Sequence, residues 1–152
     1  MNRGILTALG AITLAQASKI PIHYVASEEW KPELFFQTGG MPSSHSAGVS
    51  ALTTYIGLER GVSTFDFALA FVFGIIVMYD AQGIRRQTGE LTLRVNNLDE
   101  LVHKVDQHEE VEFEQRPPKL KEMLGHKPEE VIGGALLGSL LSFCVFHLTN
   151  DK

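Results

Sequence analysis

Four apolar blocks divide the 152-residue chain, at 4–17, 47–58, 65–79 and 131–148. Their continuous apolar character predicts helices, and the short turn between the second and third blocks predicts an antiparallel pair. A helix that spans a bilayer needs about 20 residues, with about 17 as the lower limit, and only the last block reaches that length alone. We therefore predict an all-α fold: a small helical membrane bundle of about four apolar helices in a single domain, 1–152. A soluble helical bundle is the open alternative.

A fifth segment, the 91–114 region, mixes apolar residues with many charges. The apolar residues recur there at spacings of three and four, at Leu91, Val95, Leu98 and Val102. This spacing predicts an amphipathic helix on the surface of the bundle. The acidic end of the segment is interpreted as a solvated face.

The N-terminal block has two interpretations. Arg3 before it and Ala15-Gln16-Ala17 behind it resemble a secretory signal with its cleavage site. The alternative is a first membrane helix that stays in place. We favour the retained helix because Lys19, directly at its end, has a use in the polar site described below.

The distribution of charge gives an orientation. With four spans, segments 19–44 and 80–130 lie on one side of the membrane and carry ten of the thirteen Lys and Arg residues. The positive-inside rule places that side in the cytoplasm.

The net charge of −5 gives no sign of the positively charged surface with which proteins bind nucleic acid. The single cysteine, Cys144, excludes an internal disulfide framework.

The segment 38–47, Thr-Gly-Gly-Met-Pro-Ser-Ser-His-Ser-Ala, is the most distinctive stretch of the chain. Its two glycines allow a tight turn, and Pro42 suits the first turn of a helix. Ser43 and Ser44 offer hydroxyls beside the free N–H groups of that turn, where an anion is favoured. His45 adds a group that exchanges protons near neutral pH. The alternative is an ordinary serine N-cap with an incidental histidine.

Two further polar segments fall on the same predicted side of the membrane. One contains Asp80, Arg85 and Arg86, and the other contains His126 with Glu130 four residues later. Together with Lys19 and the 38–47 segment, these side chains suit a phosphate-like oxyanion. On one helix face, Glu130 would hold the His126 imidazole in one tautomer.

Each of these residues also has a structural interpretation. Lys19 suits a snorkelling lysine at a helix end, and Asp80 suits a cap. Arg85 and Arg86 suit contacts with lipid headgroups or ion pairs with the nearby acidic residues. The negative charge of Glu130 would stabilise a helix N-terminus, where the positive end of the helix dipole lies. A metal site is not favoured, because the sequence has no tight ligand spacing such as His-x-x-x-His or Cys-x-x-Cys.

Taken together, the motifs resemble the divergent PAP2 family, small membrane proteins related distantly to type 2 phosphatidic acid phosphatases. The matching residues are Ala15-Gln16, Lys19, 39–47, Asp80-Ala81, Gly83, Arg85-Arg86-Gln87, Gly89-Glu90, Asn96, 124–126, Pro128, Glu130, Val131 and Gly134. The resemblance implies that His45 is a general acid, that His126 is a nucleophile and that Glu130 orients His126. It also implies a phosphate clamp made by Lys19 with Arg85 or Arg86.

The chain departs from the wider phosphatase pattern in four respects. The Lys-x6-Arg-Pro segment of that pattern is absent, since Lys19 has no Arg-Pro pair seven residues later. Ser44 stands where that pattern has a glycine, and Glu130 where it has an aspartate. Leu120 occupies the place of an arginine six residues before the nucleophilic histidine. A leucine cannot bind phosphate, so Arg85 or Arg86 would have to replace that arginine from another segment.

Two functions follow as hypotheses. The first is a phosphatase-like membrane protein that hydrolyses a phosphate or pyrophosphate of a lipid or isoprenoid through a phosphohistidine, without metal or cofactor. The second is a non-enzymatic membrane protein that keeps the anion pocket to bind a phosphorylated lipid or to assemble. Self-association is compatible with either, since four short helices bury little surface.

Overall fold

The computed structural model describes residues 2–106, 118–120 and 124–150, and within these ranges it contains helices and no strand. The elements, in chain order, are α1 (Arg3–Ser27), a 3₁₀ turn (Pro32–Phe36), α2 (Ser44–Arg60), α3 (Phe65–Gln82), α4 (Ile84–Asp106) and α5 (Pro128–Asn150). The predicted all-α bundle with an additional amphipathic helix is confirmed.

Three helical stretches are long and apolar enough to cross a membrane: Arg3–Ser27, Phe65–Val102 and Pro128–Asn150. The second takes in α3 and most of α4. Leu9, Phe73 and Leu140 exemplify the large apolar side chains on these stretches that are more than half exposed. Apolar surface of this extent is typical of helices that face lipid. The fourth apolar helix, α2, has only 17 residues and lies at the centre of the bundle, against α1, α3 and α5.

Small residues bring the backbones of α2 and α5 into direct contact. A Cβ on Gly134 would lie 2.2 Å from the carbonyl oxygen of Ser43, and one on Gly138 would lie 2.1 Å from that of Ala47. Such distances are far below any real Cβ contact, so both positions require glycine. This is the close approach that small residues allow between membrane helices. It fixes the start of α2 beside the start of α5.

Two alanines from α1 and two from α2 form a buried cluster, against which Leu137 and Leu141 of α5 pack. Ala11, Ala15, Ala47 and Ala51 are fully buried. The turn between α2 and α3 is capped at both ends: Gly61 has a φ of 90°, and the Thr64 side chain accepts a hydrogen bond from the Phe67 N–H. The bundle is therefore held by close backbone packing, with its large side chains turned outward.

Two helix boundaries differ from those expected. We expected the first helix to end near residue 17, yet α1 continues through Pro21 to Ser27. A proline removes one backbone hydrogen bond, and the turns on either side can still form. The amphipathic helix starts at Ile84 instead of residue 91, because the polar residues of 84–90 form the exposed side of a helix. The expected end of this helix, 107–114, lies outside the described residues.

Candidate functional site

The N-terminus of α2 is built by Ser43. Its hydroxyl accepts hydrogen bonds from the Ser46 N–H (3.3 Å) and the Ser46 hydroxyl (3.0 Å), and the residue is fully buried. Its own N–H donates to the Glu130 carbonyl oxygen at 2.9 Å. Ser43 therefore serves as the helix cap and as a tie to α5. Ser43 and Ser44 are buried and do not line the cavity described below.

His126 is held by both its backbone and its ring. Its N–H donates to the carbonyl oxygen of Ala81 at 2.9 Å, which ties the residue to the end of α3. Its Nδ1 lies 3.1 Å from Glu130 Oε2, and the ring is 2% exposed. The same carboxylate oxygen accepts the Lys127 N–H at 3.2 Å, so Glu130 also caps the start of α5. Glu130 is thereby fixed in position by the helix it caps.

His45, on the first turn of α2, faces His126. The two ring centroids are 5.7 Å apart, in an edge-to-face arrangement. Both rings border a cavity of about 200 Å³ whose wall also contains Thr38, Gly39, Ile84, Arg85, Thr88, Leu124 and Gly125. His45 Nδ1 and His126 Nε2 are buried and have no hydrogen-bond partner among the described residues. Buried nitrogens without partners are costly, and their clustering is typical of a site that binds a polar ligand.

The expected cations occupy different positions. Arg85 lines the cavity, and its Nε donates to the Asp80 carboxylate. Arg86 is absent from the cavity wall; its Nε donates to Glu90 at 3.0 Å. The structure therefore brings Arg85 to the two histidines, with Asp80 beside it as a positioning partner.

Lys19 lies in a neighbouring cavity. It is 4% exposed, and its Nζ donates to the Gln37 carbonyl oxygen at 3.2 Å. That cavity, of about 270 Å³, shares only the Thr38 and Gly39 wall with the histidine cavity. Lys19 is thus separated from the histidines by one layer of backbone. From there its positive charge lowers the pKa of both histidines.

The shared wall depends on two glycines. Gly39 and Gly40 have φ values of 83° and 79°, a region that favours glycine. A Cβ on Gly39 would also lie 2.9 Å from the Leu124 carbonyl oxygen. The loop therefore passes directly over the segment that carries His126.

Burial sets the protonation of the two histidines. Burial, and to a lesser extent the Lys19 charge, lower the pKa of His126 from its ordinary value, and the Glu130 carboxylate and the nearby Gly40 backbone oppose this in part. Burial also lowers the pKa of His45, as do the neighbouring charges of His126, Arg85 and Lys19. Both rings are therefore neutral near pH 7. A neutral His126 that donates its Nδ1–H to Glu130 carries its lone pair on Nε2.

Sequence reasoning missed three parts of the cavity wall. Thr38 belongs to the glycine segment but has no predicted role, and Ile84 and Thr88 belong to no predicted part of the site. Once Arg85 is placed at the site, helical spacing brings Thr88 to the same face, one turn later.

Leu120, expected at the place of an arginine, is 52% exposed, and its backbone pairs with the Asn96 side chain at 3.0 Å. Among the described residues no group of three His, Cys, Asp or Glu side chains could hold a metal ion.

Comparison with known proteins gives two matches. The sequence model of the divergent PAP2 family matches residues 1–141. The uncharacterized membrane protein YuiD of Bacillus subtilis (strain 168) is 41% identical over 150 residues, which cover 96% of this chain and 95% of that protein. No solved structure matches.

Proposed function

The chain belongs to the divergent PAP2 family, and from that premise we propose that it is a membrane phosphohydrolase with His126 as its nucleophile. One observation carries the proposal: His126 Nδ1 is held at 3.1 Å by Glu130, while its Nε2 lies buried and unpartnered beside His45. A carboxylate that orients a histidine whose ring lines a cavity is the arrangement required of a positioned nucleophile.

The reaction would proceed in two steps. His126 Nε2 attacks phosphorus, the bond from phosphorus to the leaving oxygen breaks, and His45 gives that oxygen a proton. Water then attacks the phosphohistidine and gives a proton to His45, and His126 leaves as a neutral imidazole. The Arg85 guanidinium balances the charge on the phosphoryl oxygens in both steps.

His45 must be protonated to act as the acid, although burial lowers its pKa in the free protein. A bound phosphate would raise the pKa of His45, since a nearby negative charge favours the charged form of an imidazole. Substrate binding and protonation of His45 are therefore coupled. An anionic substrate would bind together with a proton.

We propose a lipid or isoprenoid phosphate or pyrophosphate as substrate. Ile84 and Leu124 give the cavity an apolar rim, and both are about half exposed or more. The site lies where the end of α3 meets the starts of α2 and α5, so a membrane-bound substrate would reach it from the bilayer surface. Ten of the thirteen Lys and Arg residues belong to segments on this side, which supports a site facing the cytoplasm.

A second function has one specific observation in its favour. Arg85 is the only arginine on the cavity wall that the structure describes, and it already pairs with Asp80. A pocket with one partly neutralised cation binds an anion more readily than it stabilises the extra charge of a transition state. The alternative is therefore a non-enzymatic membrane protein that binds a phosphorylated lipid.

Phosphate release separates the two functions. Purified full-length chain in detergent, with a chelator present, would be tested on a panel of lipid and isoprenoid phosphates and diphosphates. We expect release by the wild type, loss in His126→Gln, and no change in His147→Gln, a control on the exposed far end of α5. Vanadate should inhibit, since it mimics the phosphoryl transition state. Activity that survives His126→Gln, or phosphate binding without release, would contradict the enzymatic proposal.

A further inference from the structure

The outer part of α4 packs against none of the other described helices. Among the described elements α4 contacts only α3, where the two helices meet. The Gly83 N–H donates to the Tyr79 carbonyl oxygen, and the Gln87 N–H donates to that of Gly83, so the hydrogen-bond ladder continues across the junction. α4 therefore follows α3 directly, and Gly83, with a ψ of −95°, separates the two helices within the Phe65–Val102 stretch.

One side of α4 is covered and the other is not. The covered side holds Asn96, 5% exposed, whose side chain forms two 3.0 Å hydrogen bonds with the Leu120 backbone. The uncovered side carries a row of apolar residues, which we call the α4 seam: Leu91, Val95, Leu98 and Val102. Each of the four is between 49% and 61% exposed. Exposed apolar rows of this kind mark an interaction surface.

The seam has the spacing of a coiled coil. Its four residues are separated by four, three and four positions, which places Val95 and Val102 at heptad position a and Leu91 and Leu98 at position d. Val105 continues the spacing in the sequence. A β-branched residue at a with leucine at d favours a parallel two-stranded coiled coil.

The flanking charges fit the same arrangement. In this register Arg94 is at position g and Asp99 at the following position e. In a parallel dimer these two positions face each other across the interface, so Arg94 of each copy meets an acidic residue of the other. Two copies inserted in one membrane with the same orientation also present α4 in parallel.

The bilayer surface is a less suitable binding partner for the α4 seam than a second protein helix. Helices that lie on membranes are rich in Lys and Arg and have aromatic residues on the apolar side. α4 has as many acidic as basic residues and no Trp, Tyr or Phe; the charged ones are Arg85, Arg86, Glu90, Arg94, Asp99, Glu100, Lys104 and Asp106. We infer that the α4 seam binds the seam of a second copy of this chain, as a short parallel coiled coil. Membrane insertion of both copies raises the effective concentration enough for a short seam to suffice.

Cysteine cross-linking in native membranes tests this inference. In the full-length chain with Cys144→Ser, we would compare Leu91→Cys and Leu98→Cys in the seam with their exposed neighbours, Glu90→Cys and Asn97→Cys. Mild oxidation should give a band at twice the monomer mass for both seam variants and little for the two controls. Equal bands at all four positions, or no band at any, would overturn the inference. A band at only one of the two seam positions would overturn the parallel arrangement.

A second measurement protects the result against variants that misfold. Val95→Lys in the seam should raise the dimer dissociation constant in detergent by at least about tenfold, because a charge is costly in a dehydrated interface. The control Asn97→Lys should leave it unchanged. Light scattering on both proteins reports the mass directly. A wild type that is monomeric at every concentration, with its seam shielded by the bilayer or by another part of the chain, would contradict the proposal.

Discussion

Gly138 offers the sharpest test of the packing that positions the site. Replacing it with alanine places a Cβ 2.1 Å from the Ala47 carbonyl oxygen, where ordinary contacts begin at 3.4 Å. The obstacle is backbone inside α2, so no side-chain rotation relieves the clash. α5 has to move away from α2, and the contacts around the buried Ser142 and Ala47 loosen with it.

The size of the effect follows from two opposing contributions. Overpacking a well-packed interior costs about 1–3 kcal/mol. Alanine recovers up to about 1 kcal/mol over glycine through its better helix propensity. A 2.1 Å clash with backbone belongs at the upper end of that cost, about 3 kcal/mol, so the net loss in the free energy of unfolding should be about 2 kcal/mol. For a chain of this size that lowers the melting temperature by about 4–8 °C.

Gly10→Ala is the matched control. It also lies within a helix, and a Cβ there has no atom within 4 Å among the described residues. Thermal unfolding in one detergent, followed by circular dichroism, should show a lowered melting temperature for Gly138→Ala and an unchanged or raised one for Gly10→Ala. Equal melting temperatures for the two variants would refute the proposed α2–α5 contact.

Three further predictions concern the site. Glu130→Gln should lower kcat by about ten- to a hundredfold with little change in KM, because a neutral amide orients His126 but no longer stabilises its positive charge. Arg85→Met should weaken vanadate inhibition by at least about tenfold, whereas Arg86→Met should not, as inhibition titrations would show. Folding holds the pKa of His45 and His126 below 6.5, so the unfolded chain binds more protons below that pH. The melting temperature should therefore fall from about pH 6.5 downward, and less so in His45→Asn.

Local patterns were sufficient to predict most of the helices. Ser43 marks the start of α2, whereas Pro42, expected in the first turn, precedes the Ser43 cap and lies outside the helix. The apolar blocks give the fold class without reference to other segments. Two helix boundaries differ from the prediction: α1 continues beyond Pro21, and α4 already begins at Ile84. Both depend on tertiary contacts, which intrinsic helix propensity does not describe. A polar stretch such as 84–90 is compatible with a loop or with the solvent side of a helix, and only the tertiary arrangement decides between them.

The contacts of the two histidines were predictable where the partners are close in sequence and less so where they are not. His126 and Glu130, four residues apart, meet as predicted, although His126 precedes α5 and only Glu130 lies in its first turn. Lys19, in contrast, lies behind the Thr38–Gly39 wall, and no spacing rule reveals which side of a loop a distant residue occupies. The hydrogen bond from His126 to Ala81 likewise joins segments far apart in sequence.

The most direct test of the central claim is the identity of the phosphorylated residue during turnover. The full-length chain would be mixed with a radiolabelled substrate from the active panel, quenched in alkali, which preserves phosphohistidine, and digested for mass spectrometry. We predict label on His126 at Nε2, the nitrogen opposite its Glu130 contact, and none in His126→Gln. Label on another residue, or steady turnover with no covalent label, would contradict His126 as the nucleophile.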